Sequence, residues 1–100
     1  MSTKKNNLYK IQLAELALKD GSPANKTVEF EFENHDDVFH IIELVKTKKL
    51  FKDEDKAVEF GIGLKMFSEV LITNQDKDFF KALMPAFGAF MKGLKAYNQG

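Results

Sequence analysis

The residue types best suited to chemistry lie together in one short segment. His35 and His40 are the two histidines of the chain, and Asp36 and Asp37 stand between them. Asp36 and His40 are four residues apart and share a helix face, so they are candidate ligands of one metal ion, with His35 as a candidate third. In the competing interpretation the aspartates stabilise a helix start and the histidines are solvated. No His-Glu-x-x-His pattern accompanies this His/Asp cluster, so we predict no metal site and keep a small enzyme or metal-binding protein as the alternative function.

Composition excludes several other chemistries. The 100 residues contain no cysteine, which excludes a disulfide scaffold, a thiol enzyme and a cysteine-ligated zinc site. Fifteen basic residues balance fifteen acidic ones, and every base is lysine, so nucleic acid is not an expected partner. The glycines at 61 and 63 stand inside a helical pattern rather than after a strand, and they do not form a phosphate loop. We predict no catalytic residues and no cofactor.

Two segments, residues 8–16 and 27–33, alternate apolar and polar side chains, as half-buried strands do. Turn-forming residues fill 19–26 between them, so the pattern predicts an antiparallel hairpin with a long connection. Glutamates occupy the polar side of the second strand, and Lys10 on the first strand should reduce their repulsion. The apolar faces comprise Tyr9, Ile11 and Leu13, and Val28, Phe30 and Phe32.

Three helical patterns follow the hairpin. Asn34 is predicted to cap the first helix, and the second should start near Asp53 or Asp55 and end at about Thr73. The second helix is apolar around nearly its whole circumference, which is typical of a central, buried helix. For the third helix, Asp76 or Asp78 is the predicted cap, and Pro85 inside it must kink or restart it.

This order of elements predicts an α+β fold, β-β-α-α-α, with the helices packed on one face of the sheet. One domain over residues 1–100 is expected, because this length normally makes one domain. Its ordered core should span about 8–97, after a flexible N-terminus at 1–7. Residues 1–7 have no apolar signal segment, and no run reaches the roughly 20 apolar residues of a membrane helix. We therefore expect a cytoplasmic protein with no membrane partner.

Three segments have distinctive residue patterns: FEFENHDDVF at 30–39, FGIGLKMFSEV at 60–70 and LMPAFGAFMK at 83–92. In these segments the chain resembles a family of small bacterial proteins known as domain of unknown function 3861. The resemblance runs from about Tyr9 to Lys95 and is most specific in the third segment. It implies a stand-alone bacterial domain, and it carries no activity and no site residues.

The third helix has a stripe of small residues: Ala82, Ala86, Ala89, Gly93 and Ala96. Small side chains let helix backbones approach closely, although alanine is also a good helix former that surfaces tolerate. Gly61 and Gly63 of the second helix form a further candidate contact surface, within one chain or between chains.

A two-stranded sheet is marginal alone, and the second helix needs more cover than one copy supplies, so we predict a homodimer. The interface candidates are six small residues: Ala82, Ala86, Ala89 and Gly93 of this small-residue stripe, together with Gly61 and Gly63. The expected function is a non-catalytic, homodimeric module for protein interaction or ligand binding, with an unidentified protein as a further partner.

Overall fold

The computed structural model describes residues 6–97, with two strands followed by three helices. The predicted α+β class and the order β-β-α-α-α are confirmed. Backbone contacts divide the chain into two compact units, a hairpin unit ending at His35 and a helical unit beginning at Asp36. A single domain over 1–100 stays a prediction, and most of the N-terminus predicted to be flexible lies outside the described residues. The elements are β1 (Asn7–Ala14), β2 (Thr27–Asn34), α1 (Val38–Lys48), α2 (Glu54–Thr73) and α3 (Asp78–Ala96).

In the hairpin unit, β1 and β2 pair antiparallel over all eight residues of each strand. Tyr9 stands opposite Phe32 and Ile11 opposite Phe30, so one face of the sheet is apolar, as the alternation predicted. The rings of Tyr9 and Phe32 lie 5.5 Å apart between centroids, a separation typical of cross-strand aromatic pairs.

The long connection between the strands is held by hydrogen bonds at both of its ends. The Glu15 backbone N–H donates to the Lys26 carbonyl at 2.9 Å, and the Glu15 carboxylate accepts the Lys26 N–H at 3.1 Å. Gly21 has a φ of 79°, in the left-handed region that favours glycine. The backbone N–H and hydroxyl of Ser22 both donate to Asp20, and these bonds lower the pKa of the Asp20 carboxyl.

α1 starts later than predicted, and its cap is a different residue. Asn34 is the last residue of β2, where its pairing with Asn7 keeps the backbone extended, so the prediction that it caps α1 is wrong. Asp37 is the cap, and its carboxylate accepts the N–H of His40 at 3.2 Å.

The bounds predicted for α2 are confirmed, with Asp53 as its N-cap and Thr73 as its last residue. The Asp53 carboxylate accepts the N–H of Asp55 at 2.9 Å. Only one stripe of α2 is buried: Ala57, Gly61, Leu64, Lys65, Ser68 and Leu71. Burial around nearly the whole circumference is therefore not observed, because within the described part of the helical unit no second layer covers the opposite side.

The N-cap of α3 is Lys77, which makes no side-chain capping bond, so the prediction of Asp76 or Asp78 as cap is wrong. Asp78 is instead the first helical residue. The helix runs without a break through Pro85, so it does not restart there. Proline has no N–H to donate to the carbonyl of Lys81, and α3 continues without that hydrogen bond.

The missing cap at α3 leads to a stability prediction. Lys77→Ser should raise the free energy of unfolding by about 1 kcal/mol, because a serine oxygen at this position accepts an N–H that now lacks a capping partner. The ion pair of Lys77 with Asp76 is exposed and contributes little. Urea denaturation measures the change, and Lys81→Ser, an exposed site inside α3, is the matched control with no expected gain. Equal stabilities of Lys77→Ser and the unmodified chain would contradict the assignment of Lys77 as an N-cap without a capping side chain.

Val38, Ile42 and Val45 of α1 are buried, and these side chains belong to the helical unit's core. Leu71 of α2 is fully buried, at 0% exposure. None of the helices within residues 6–97 is long and apolar enough to cross a membrane.

Candidate functional site

The His/Asp cluster extends from the segment before α1 into the first turn of that helix, and both of its aspartates have structural roles. Asp37 caps the helix, and Asp36 forms an ion pair with Lys65 of α2, with 2.5 Å between Oδ2 and Nζ. The side chain of Lys65 is only 10% exposed, whereas that of Asp36 is 37% exposed. His35 and His40 are both exposed. Within residues 6–97 no group of three or more histidines, cysteines and carboxylates is placed to hold a metal ion.

Sequence reasoning did not identify the Asp36–Lys65 pair. Lys65 is one charged residue on the buried stripe of α2, with Leu64 and Ser68 beside it. An ammonium group is buried in proteins when an opposite charge is close. A lysine on the inner face of a helix therefore indicates a buried ion pair, and this was the signal in the sequence. The sequence could not identify Asp36 as the partner, because the two residues are distant along the chain.

Glu29 of the acidic row on β2 is paired across the hairpin. Gln12 Nε2 donates to Glu29 at 2.9 Å, and Lys10 Nζ lies 3.1 Å from the same carboxylate. Together these contacts, that of Gln12 first, lower the pKa of the Glu29 carboxyl. Lys10 thus pairs diagonally with Glu29, although Glu31 is the residue directly opposite. Lys10 therefore pairs with one glutamate of the row, and a reduction of repulsion along the row stays a prediction.

The two glycines of α2 have different surroundings. A Cβ at Gly61 would lie 3.2 Å from Cγ1 and 3.4 Å from Cα of Ile42, so α1 approaches the α2 backbone closely at this point. A Cβ at Gly63 would meet nothing within 4 Å, and Gly63 is exposed. Gly61 therefore serves contact within the chain, and Gly63 lies on an open surface.

An aromatic ladder connects α2 with α3. Phe60 and Phe90 have ring centroids 6.4 Å apart, and Phe67 and Phe87 have centroids 6.2 Å apart; both pairs are edge-to-face. The pairing of an early residue of α2 with a late residue of α3 makes the two helices antiparallel. Phe51, before α2, adds a further ring 5.6 Å from Phe60.

One side of α3 carries large apolar residues that the other helices cover only in part. Phe79 is 70% exposed, Phe90 48% and Tyr97 41%. At 100° per residue these three, with Leu83, fall within one arc of about 40°, and the small-residue stripe lies directly beside this arc. Exposed Phe67 of α2 borders the same side, because the ladder places it next to α3, and Val70, three residues further along α2, is exposed as well. We call this surface the outer face: Phe67, Val70, Phe79, Leu83, Phe90 and Tyr97 with the small-residue stripe.

The burial of α3 contrasts with its apolar content. None of its 19 residues, all of which the structure describes, is buried. The members of the small-residue stripe are all exposed, so they do not belong to the core of this chain. The lysines of α3 lie on a different arc from the outer face, which therefore carries no charged residue between Phe79 and Tyr97. Such a continuous uncharged surface is typical of an interaction site.

These features define a small α+β protein with a capped and ion-paired start of α1 and a large exposed apolar face. The chain matches the model of the family DUF3861, a domain of unknown function with a solved structure, over residues 7–96. It belongs to this family, as its three characteristic segments predicted. The crystal structure of a protein of unknown function from Pectobacterium atrosepticum is similar, with a TM-score of 0.77 and 34% sequence identity; the match covers 90% of this chain and 97% of that one. Among curated proteins, none matches the chain.

Proposed function

We propose that this chain is a non-catalytic interaction module that forms a homodimer through its outer face. The observation that carries the proposal is the exposure of α3, whose apolar side meets too little of its own chain to be buried. A helix stripe of this kind is normally covered by another element. A second copy of the chain covers this stripe with its own outer face, so that apolar side chains pack against apolar side chains.

The exposed area supports a partner of protein size. A fully exposed aromatic side chain offers about 200 Å², so Phe79, Phe90 and Tyr97 together expose roughly 300 Å² of side chain. Leu83, Phe67, Val70 and the small-residue stripe extend this patch along a helix about 28 Å long. Monomers rarely expose contiguous apolar patches above a few hundred Å², and a standard interface buries about 800 Å² on each partner.

The spacing of the small-residue stripe favours a second copy over an unrelated partner. From Ala82 to Gly93 its steps of four, three and four residues read the same in both directions, and Ala96 lies three residues beyond this symmetric part. When two α3 helices pack antiparallel about a two-fold axis, Ala82 comes opposite Gly93 of the partner subunit, and Ala86 comes opposite Ala89 of the partner subunit. A two-fold interface needs such self-complementarity, and small residues at its centre let the backbones approach.

The test is the mass of the chain in solution. Size-exclusion chromatography with light scattering at micromolar concentration should give about twice 11.4 kDa. Ala89→Glu should yield a folded monomer, because two carboxylates would be buried close to the two-fold axis without partners. Circular dichroism checks the fold of the variant. Lys92→Glu is the matched control, since it adds the same side chain to another side of α3, and it should remain dimeric.

Two results would contradict the proposal. One is a monomeric mass for the unmodified chain at micromolar concentration. The other is a dimer that Ala89→Glu leaves as tight as Lys92→Glu does, because the interface would then lie elsewhere on the chain.

A further inference from the structure

A second surface of the helical unit, distinct from the outer face, has the properties of a ligand site. All three helices line a groove of ≈ 310 Å³ on the side of α3 that faces α1. Its apolar walls are formed by Ile41, Leu44, Leu64, Met91 and Leu94. This volume is at the lower end of the roughly 300–1,000 Å³ of small-molecule sites, and it suits one alkyl chain better than a large cofactor.

The charges on the groove have a single sign. Its titratable lining residues are Lys48, Lys65 and Lys95, and no carboxylate lines it. Lys65 is neutralised by Asp36. Lys48 Nζ donates to two backbone carbonyls at the end of α3, those of Lys95 at 3.4 Å and Tyr97 at 3.2 Å, and the partial negative charge of these carbonyls offsets its charge only in part.

The positive charge is therefore concentrated at one end of the groove. Lys95 is exposed and, like Lys48, makes no ion pair with any carboxylate among residues 6–97. Because the carbonyls hold the Lys48 ammonium in place, it is preorganised to receive an anion, and Lys95 can approach the same anion from the rim.

We propose that this groove binds a free medium-chain fatty acid. The alkyl chain lies along Ile41, Leu64 and Met91, where it replaces water on apolar side chains. The carboxylate accepts hydrogen bonds from Lys48 and Lys95. A cationic amphiphile of equal length meets the same walls but is repelled by the two ammonium groups.

The four methionines of the chain provide a local probe, because Met91 lies in the groove whereas Met66 and Met84 do not. With methyl-13C-methionine labelling, sodium decanoate at concentrations well below micelle formation should shift the Met91 methyl resonance saturably. The Met66 and Met84 resonances should stay nearly constant. Decyltrimethylammonium, with an alkyl chain of the same length, should produce no saturable shift at Met91.

Variants at the charged end test the role of the carboxylate. Lys95→Gln should weaken decanoate binding roughly threefold to fivefold, the usual range for one partly exposed ion pair, and it leaves the backbone carbonyls that hold Lys48 unchanged. Lys92→Gln, which removes an equal charge from another part of α3, should leave the affinity unchanged. Saturable decanoate binding that Lys95→Gln weakens and Lys92→Gln leaves unchanged supports the proposal.

Other outcomes overturn it. A Met91 resonance that decanoate does not shift excludes the site, and equal shifts with the cationic amphiphile show apolar adsorption without recognition of the carboxylate. Equal shifts at Met66, Met84 and Met91 show that decanoate coats the surface instead of entering the groove. Because the readout is local to the groove, each of these results leaves the test of the dimer unaffected.

Discussion

Asp36→Asn is expected to lower the free energy of unfolding by about 3 kcal/mol, one of the largest effects of a single substitution in this chain. The substitution removes the carboxylate 2.5 Å from a lysine whose side chain is 10% exposed. The Lys65 ammonium then remains in the interior without that charge, and water has little access to solvate it. Loss of one member of a buried pair typically costs 3–5 kcal/mol, and the partial exposure of Asp36 places this pair at the lower end.

Substitution of the other member of the pair, Lys65→Met, should lower the free energy of unfolding by less than half as much as Asp36→Asn. Methionine fills nearly the same volume on the buried stripe of α2, and the Asp36 carboxylate that remains is 37% exposed and can be hydrated. Removal of the more exposed partner is thus predicted to be the more damaging change. Urea denaturation of both variants at neutral pH gives the comparison.

An exposed ion pair provides the control for this experiment. Glu59→Gln breaks the pair of Glu59 with Lys56, which lies on the surface of α2, and should change stability by less than about 0.5 kcal/mol. If Asp36→Asn proves as mild as Glu59→Gln, the Asp36–Lys65 pair does not stabilise the start of α1 against α2.

The second large effect is expected at the point of closest approach between α1 and α2. Gly61→Val should destabilise the chain by about 2 kcal/mol, because its Cβ would lie 3.2 Å from the Ile42 side chain and 3.4 Å from the Ile42 Cα. The γ-carbons of valine add further atoms near that backbone, which moves only if α1 moves. The gain in helix propensity over glycine, about 0.5 kcal/mol, is too small to offset this crowding.

A matched substitution separates crowding from the intrinsic cost of a helical glycine. Gly88→Ala introduces a Cβ that meets nothing within 4 Å, so it should raise stability by up to about 1 kcal/mol. Gly61→Ala should fall between these variants, since its propensity gain competes with a contact that Ile42 must relieve. The expected order of stability is Gly88→Ala, then Gly61→Ala, then Gly61→Val. If Gly61→Val is as stable as Gly88→Ala, the close approach of α1 does not determine the requirement for glycine.

Local patterns were sufficient to predict the elements of this fold. Strict alternation placed Tyr9 and Phe30 on one face of a hairpin, because successive side chains of a strand point to opposite faces. The start of α2 was also readable, since an aspartate before an apolar periodic segment caps a helix through its own side chain. The three characteristic segments identified the family, which the match over residues 7–96 confirms.

The error at the start of α1 arose where a distant residue overrides a local preference. Asn34 is a good helix cap by type, yet it ends β2 because its partner Asn7 begins the opposite strand. Lys77 caps α3 without a side-chain bond although aspartates stand on both sides of it. Helix bounds depend on which backbone groups are already paired, and strand register determines this for Asn34.

The candidate sites show the same division between what local sequence patterns predict and what tertiary contacts decide. The amino-acid sequence by itself determined the elements, the family, and the presence of two aspartates, two helical glycines and a small-residue stripe. Only the tertiary structure decided that Asp36 pairs with Lys65, that Gly61 and not Gly63 meets α1, and that α3 leaves its outer face uncovered. The physical reason is that periodicity and capping act within a few residues. The partner of a buried charge, the neighbour of a glycine and the cover of an apolar face are set by how helices pack, which brings together residues far apart in the chain.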